Sequence, residues 1–403
     1  MKRLFMMAAS AAMLFACSSR PMDVVIDEAF AHAVKQYSEF CSNLDRTPGM
    51  LPRSLKDSIV TLEDPLDTNS WILGFFPGTL WYIYEYTGNE EFRRQAEKFT
   101  AYIEPQKTNT TNHDVGFMIW CSYGNQYRLL GGDHVRNIML EAAESLSQRY
   151  NPIVGCTQSW KTGLRGWRFP VIIDNMMNLE LLAWASKESG NSRYLEMAVN
   201  HANTTIKNHF RDDFSSYHVV SYNPETGDVE AKQTQQGYAD SSAWARGQAW
   251  GLYGYTMMYR YTKDPVFLEQ AKKIAAFMIG HPRMPEDMIP YWDFDAPDIP
   301  NTVRDVSAAA IMCSALIELS TFSQDDGKRY IDVAEKQLRV LSSPVYTAEA
   351  GTNGCYLLKH STGNYPKSKE VDAPLSYADY YYIEALLRFR NVVINKGSLQ
   401  NES

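Results

Sequence analysis

The stretch VIIDNMMNLELLAWASKESGNSRYLEMAVNHANTTIKNHF, residues 171–210, decides the fold. Apolar positions recur at helical spacing on both sides of Ser189-Gly190-Asn191, so the segments near 174–188 and 192–209 read as two helices joined by a tight turn. Working outward, Thr87-Gly88-Asn89 joins 75–87 to 90–103, Gly131-Gly132-Asp133 joins 114–130 to 134–149, and Thr262-Lys263-Asp264 joins 242–262 to 265–280. Further helices near 24–43, 305–321, 326–341 and 377–391 bring the count to twelve, with no convincing strand among them. Short turns alternate with long connections, which is what a closed ring of helical hairpins requires, inner helices lining the axis and outer ones wrapping them. The spacing predicts an all-α chain folded as an (α/α)6 barrel, one domain over residues 22–395.

All the long connections enter inner helices, so they converge on one face, and long irregular loops in a compact domain are usually functional. They carry Trp71, His113, Asp114, Trp160, Trp167, Asp174, His218, Gln235, Gln236, Tyr238, Trp244, Arg246, Trp292, Tyr356, His360 and Tyr365. Nine Trp and twenty-five Tyr exceed what a core calls for, and loop aromatics make stacking platforms for sugars. Asp114 and Asp174 begin two neighbouring inner helices, where each is also an ordinary N-cap candidate. Brought into one pocket, two carboxylates push one another toward protonation. Asp174 follows three apolar residues and is assigned the raised pKa and the general acid/base role, against the opposing pull of the helix N-terminus. Arg246 offers a planar fork for a carboxylate ligand, or else an internal ion pair with Asp240 or Asp305. Trp250 is a site candidate that equally suits the core.

The N-terminus begins Met-Lys-Arg and continues with the apolar run LFMMAASAAMLFA, a charged region and a short hydrophobic region of an export signal. Leu14-Phe15-Ala16-Cys17 matches the lipid-attachment site of bacterial lipoproteins, so residues 1–16 are expected to be removed and Cys17 lipidated. An ordinary secretory signal is the alternative. The expectation is an exported protein held to a membrane only by its N-terminal lipid and facing the periplasm. The remaining cysteines, Cys41, Cys121, Cys156, Cys313 and Cys355, lack metal or redox spacing and read as small buried apolar residues, with a Cys156–Cys355 pairing left open. The eight histidines show no ligand pairing, so neither metal nor cofactor is expected. A formal charge of −8 argues against a nucleic-acid surface.

The segments SWILGFFPGTLW (70–81), NHDVGFM (112–118), IIDNMMNLELLAWAS (172–186) and QGYADSSAWARGQAWGLYGY (236–255) together resemble the unsaturated glucuronyl hydrolases of glycoside hydrolase family 88. That resemblance covers nearly the whole mature chain. It implies the six-hairpin barrel and removal of a 4,5-unsaturated glucuronic acid from the non-reducing end of lyase-generated glycosaminoglycan fragments. It also implies Asp174 as acid/base, Asp114 as its essential partner with His113 beside it, and substrate contacts from Gln236, Arg246, Trp71, Trp244, His218 and one of Trp160 or Trp167. Gln235 stands where some relatives have His, so sulfate tolerance does not carry over. The loop 356–376, with His360, Lys367, Ser368 and Lys369, is expected to border the leaving sugar. The competing readings are a related unsaturated rhamnogalacturonyl hydrolase, a glycan-binding lipoprotein whose two acids merely cap helices, and an epimerase, which would want a histidine pair.

Overall fold

The computed structural model describes residues 20–161 and 163–397; the export signal and Cys17 lie outside them. Twelve long helices dominate. They are α1 (Met22–Leu44), α2 (Phe75–Thr87), α3 (Glu90–Ala101), α4, α5 (Asp133–Ser147), α6 (Asn175–Ser189), α7 (Ser192–His209), α8 (Ala245–Thr262), α9 (Pro265–Gly280), α10 (Val306–Ser320), α11 (Gly327–Leu341) and α12 (Ser376–Phe389). The helix α4 departs from the expected uniform α-helix: Val115–Ile119 and Asn125–Leu130 are α-helical, but Trp120–Gly124 between them is a π turn.

The even-numbered helices form the inner ring, each packed on the next and α12 closing on α2. The chain is therefore an (α/α)6 barrel. Burial explains the division. Inner helices such as α10 are buried from Val306 to Leu319, whereas outer α7 buries one stripe, Tyr194, Ala198, His201, Ala202, Thr205 and His209. The short turns work as their residues suggest. Gly88 and Gly190 take left-handed φ of 65° and 73° after α2 and α6, and Asn89, Asn191 and Asp264 cap the helices that follow.

The expectation of no strands fails. Three small antiparallel sheets lie in the loops: β1 (Leu51–Lys56) with β2 (Ile59–Glu63), β3 (Tyr150–Asn151) with β4 (Cys156–Thr157), and β5 (Phe169–Ile172), β6 (Val219–Tyr222) and β7 (Val229–Gln233) in that order. Runs of two to six residues such as FPVI and VVSY are too short for periodicity to separate from a helix fragment. The third sheet matters to the site. With Ile172 paired to Val219, and Ile173 N donating to His218 O at 3.0 Å, it sets Asp174 and His218 side by side. The five described cysteines are buried free thiols, Cys156 and Cys355 included.

Candidate active site

Asp114 and Asp174 occupy the positions just before α4 and α6, yet neither carboxylate caps its helix. Asp305, at the same position before α10, does cap, accepting from Ser307 N at 3.1 Å. The two acids are thus free of the ordinary structural role for a helix-start Asp. Asn178, one turn into α6, reaches across to α4: its amide nitrogen donates to Asp114 Oδ1 at 3.3 Å, and its oxygen accepts from Phe117 N at 2.7 Å. Gly116 makes that approach possible, since a Cβ there would meet Asn178 atoms at 2.5–2.7 Å.

Burial pushes Asp114 up to about 7, against the pull of the Asn178 amide and the Arg149 cation. Burial likewise pushes Asp174 up to about 7; the Arg246 cation and the Trp250 indole N–H pull it down, and the Asp114 charge pushes it up. From the sequence a raised pKa is expected at Asp174 alone, from burial together with the neighbouring carboxylate. Desolvation is the larger cause at both residues, so both are raised.

Two histidines flank the acids. His113 Nε2 lies 3.4 Å from Asp114 Oδ1, and burial, aided by Arg149, lowers its pKa to about 3, so the ring is neutral. Burial also holds His218 well below the ordinary histidine range. Its Nδ1 accepts from the backbone N–H groups of Gln235 and Gln236, both at 3.1 Å, which leaves the ring proton on Nε2, 3.7 Å from Asp174 Oδ2.

Arg246 is not an open fork. It is buried, paired with Asp305 at 2.8 Å, and donates to the carbonyls of Thr362 and, at 2.6 Å, Gly363. The ion pair with Asp305, the alternative raised from the sequence, is what the fold contains, because an unpaired buried guanidinium would be too costly. Gly363 O also accepts from Gln236 Nε2 at 3.1 Å, so this carbonyl ties the 361–373 hairpin to the segment that also bonds His218. The guanidinium stacks on Trp244 at 4.5 Å and Tyr377 at 5.4 Å.

Aromatic walls surround these groups. Trp71, partly exposed, packs on Tyr377 at 4.8 Å and Phe117 at 5.8 Å. Trp160 stacks on Trp167 at 5.9 Å; Trp167 is buried with its indole N–H on Gln233 Oε1 at 2.6 Å, so it backs the more exposed Trp160. Trp244 lies 4.6 Å from the His218 ring, and Tyr365 stacks on Trp292 at 4.3 Å. Trp250 is fully buried against Phe117 and Tyr381, with only its indole N–H directed toward Asp174. Tyr356 packs into the core on Phe40, and His360 is on the surface, bonded to Asp372 at 2.6 Å.

Buried polar atoms lacking a partner are uncommon in proteins. Here His113 Nε2, Asp174 Oδ2, His218 Nε2, Arg246 Nε, Trp250 Nε1 and Tyr377 OH are all buried and make no hydrogen bond among the described residues. Sequence reasoning missed Asn178, Tyr377 and Arg149. The two asparagines of IIDNMMN, polar on an inner helix, were a usable signal for Asn178; Tyr377, in a tyrosine-rich run, offered none.

Comparison with known proteins bears on this arrangement. The model of Glycosyl Hydrolase Family 88 matches residues 53–389. An unsaturated glucuronyl hydrolase of Formosa agariphila is 46% identical over 328 residues, covering 81% of this chain and 82% of that protein. The crystal structure of an unsaturated glucuronyl hydrolase specific for heparin superposes with a TM-score of 0.89 at 47% identity, covering 94% of this chain and 99% of the other. That of the Bacillus sp. GL1 unsaturated glucuronyl hydrolase, responsible for the degradation of glycosaminoglycan, gives 0.83 at 32% identity, covering 90% and 97%. With its barrel, its two uncapped buried acids and this likeness over most of its length, the chain belongs to glycosyl hydrolase family 88.

Proposed function

We propose that the protein removes 4,5-unsaturated glucuronic acid from the non-reducing end of glycosaminoglycan fragments, with Asp174 as proton donor. One observation carries the reading: two buried carboxyls that cap nothing, both raised to about 7, at the centre of unpartnered polar atoms and aromatic walls. The relatives' activities support it.

The unsaturated sugar carries a C4=C5 double bond whose C5 also bears the ring oxygen, making it a vinyl ether. Asp174, protonated near neutral pH, gives its proton to C4. The positive charge that develops at C5 is shared with the ring oxygen. Water adds at C5 and returns a proton to the Asp174 carboxylate, regenerating the acid. The resulting hemiketal opens, and the bond to the leaving sugar breaks as that sugar takes up a proton. No displacement at the anomeric carbon is required, unlike the paired-carboxylate route of other glycosidases. His218, a neutral donor through Nε2, steadies the Asp174 carboxylate once the proton has left, and Trp71, Trp160 and Trp244 wall the sugar.

Turnover is followed as loss of the ultraviolet absorbance of the conjugated double bond across unsaturated disaccharides of chondroitin, hyaluronan and heparin. Loss with none of them removes the proposal. Heparin fragments head the panel, given the likeness to a heparin-specific enzyme. Lys367 and Lys369 flank exposed positions of the hairpin docked on Arg246 and Gln236. Alanine at both should weaken turnover of sulfated more than unsulfated substrates; equal losses discredit a role in preference.

We also propose that the chain is exported and lipidated at Cys17, on the strength of the N-terminal sequence. Cys17→Ser should release the protein from membranes with turnover intact, and retention in the membrane fraction would count against the anchor.

A further inference from the structure

The inner helices run parallel, so the end of the barrel remote from Asp114 and Asp174 gathers their C-terminal turns. A cavity of about 400 Å³ opens there, between the ends of α4, α6, α8 and α12. It has the size of a small-molecule site. Trp120, Trp184 and Tyr127 form one wall, Trp184 lying 6.4 Å from Trp120 and 5.5 Å from Tyr127 between ring centres. We propose that this cavity is a second carbohydrate site, taking a neutral mono- or disaccharide independently of the chemistry at the other end.

Three observations point to an occupant. Glu180, 3% exposed, gives one oxygen to Arg260 Nη1 at 2.6 Å, while its other oxygen accepts nothing among the described residues although the side chain lines the cavity. The Trp184 indole N–H, also in the wall, likewise has no acceptor among them. An acceptor and a donor left open beside aromatic faces suit hydroxyl groups on a ring whose C–H face stacks on indole. Finally, the π turn Trp120–Gly124 lies beside the cavity, and π turns within α-helices are rare and frequently mark functional sites. Its last residue is glycine, where a Cβ would press on the Trp120 ring at 3.2 Å.

Charge selects the class of ligand. The wall carries both signs, Lys187 among them, and its acids and arginines are matched within the protein: Glu180 with Arg260, Glu188 with Arg136, Arg128 with Glu85, Arg388 with Glu318 and Glu384. A charged ligand would have to compete with these pairs, at a desolvation cost that a neutral, hydroxyl-rich one avoids.

Calorimetric titration of the full chain with N-acetylglucosamine, N-acetylgalactosamine and cellobiose tests this. At least one sugar should bind with millimolar affinity, equally well in Asp174→Asn. Trp120→Ala should weaken binding by about tenfold, the value of one lost stacking contact, with turnover of the unsaturated disaccharide unchanged. Glu180→Gln keeps the cavity's shape and, checked as folded by circular dichroism, should weaken it too. Absence of binding by all three sugars, or binding abolished by Trp244→Ala at the catalytic end and untouched by Trp120→Ala and Glu180→Gln, overturns the proposal.

Discussion

Asp174 Oδ2 and His218 Nε2 face one another across 3.7 Å, each buried and without a hydrogen bond. The arrangement suits a carboxyl that enters the reaction protonated and leaves it charged. Asp174→Asn should lower kcat by about 10²–10⁴-fold, the usual worth of a positioned proton donor. The rate of the parent enzyme should fall as pH rises through about 7, where Asp174 loses its proton. Stability follows the same titration. A carboxyl whose folded pKa is raised contributes fully at pH below its unfolded value, and that contribution is lost as pH rises through the folded one. Asp174→Asn escapes the loss, so it should be more stable than the parent by about 1–3 kcal/mol at about pH 8, with the gap closing by about pH 4. Urea unfolding at both pH values measures it; a gap independent of pH would show that burial does not hold the proton on Asp174.

The elements around the acids are held by connections rather than by the helices themselves. Arg149, just beyond α5, donates to the carbonyls of Gln158 at 2.8 Å, Thr110 at 2.7 Å and Ser159 at 3.2 Å. It thereby fastens the loop before Asp114 to the segment carrying Trp160. Ser159 extends the link, its hydroxyl accepting from Ile172 N at 3.0 Å just before Asp174. The Arg149 charge also lowers the Asp114 pKa. With Asp114 serving as the ionised partner of the protonated Asp174, Arg149→Ala should lower the melting temperature and move the acidic limb of the rate profile to higher pH, because Asp114 then ionises less readily. Arg149→Lys should restore the limb, since the charge returns, but not the full melting temperature, since the fork that reaches three carbonyls does not. A profile identical in parent and Arg149→Ala would confine Arg149 to scaffolding.

At the scale of the whole molecule, closure is the decisive event. The last inner helix, α12, packs between α10 and α2, and its Asp379 accepts from Leu357 N at 2.8 Å, Leu358 N at 3.0 Å and Tyr37 of α1 at 3.0 Å. A chain ending at Leu375 would leave α2 and α10 with apolar faces open to water. It should show no cooperative thermal transition by calorimetry; a sharp transition near that of the full chain would mean that the ring is stable without closing.

How much was legible in advance depends on the range of the interaction. Helix existence, the glycine and asparagine turns and the inner–outer alternation are set within a few residues of chain, so residues 192–209 and 265–280 were placed to the residue. The two acids could be singled out because they start neighbouring inner helices. The pairing of β5 with β6, the Arg246–Asp305 pair and the proton placement on His218 depend on partners farther away in sequence. By itself the sequence determined a ring of helical hairpins with its long connections and two helix-start acids on one face, because local periodicity and turn chemistry suffice for that. Only the tertiary structure decided that both acids keep raised pKa values and that Arg246 is already paired, because desolvation and ion pairing depend on what surrounds a group in space.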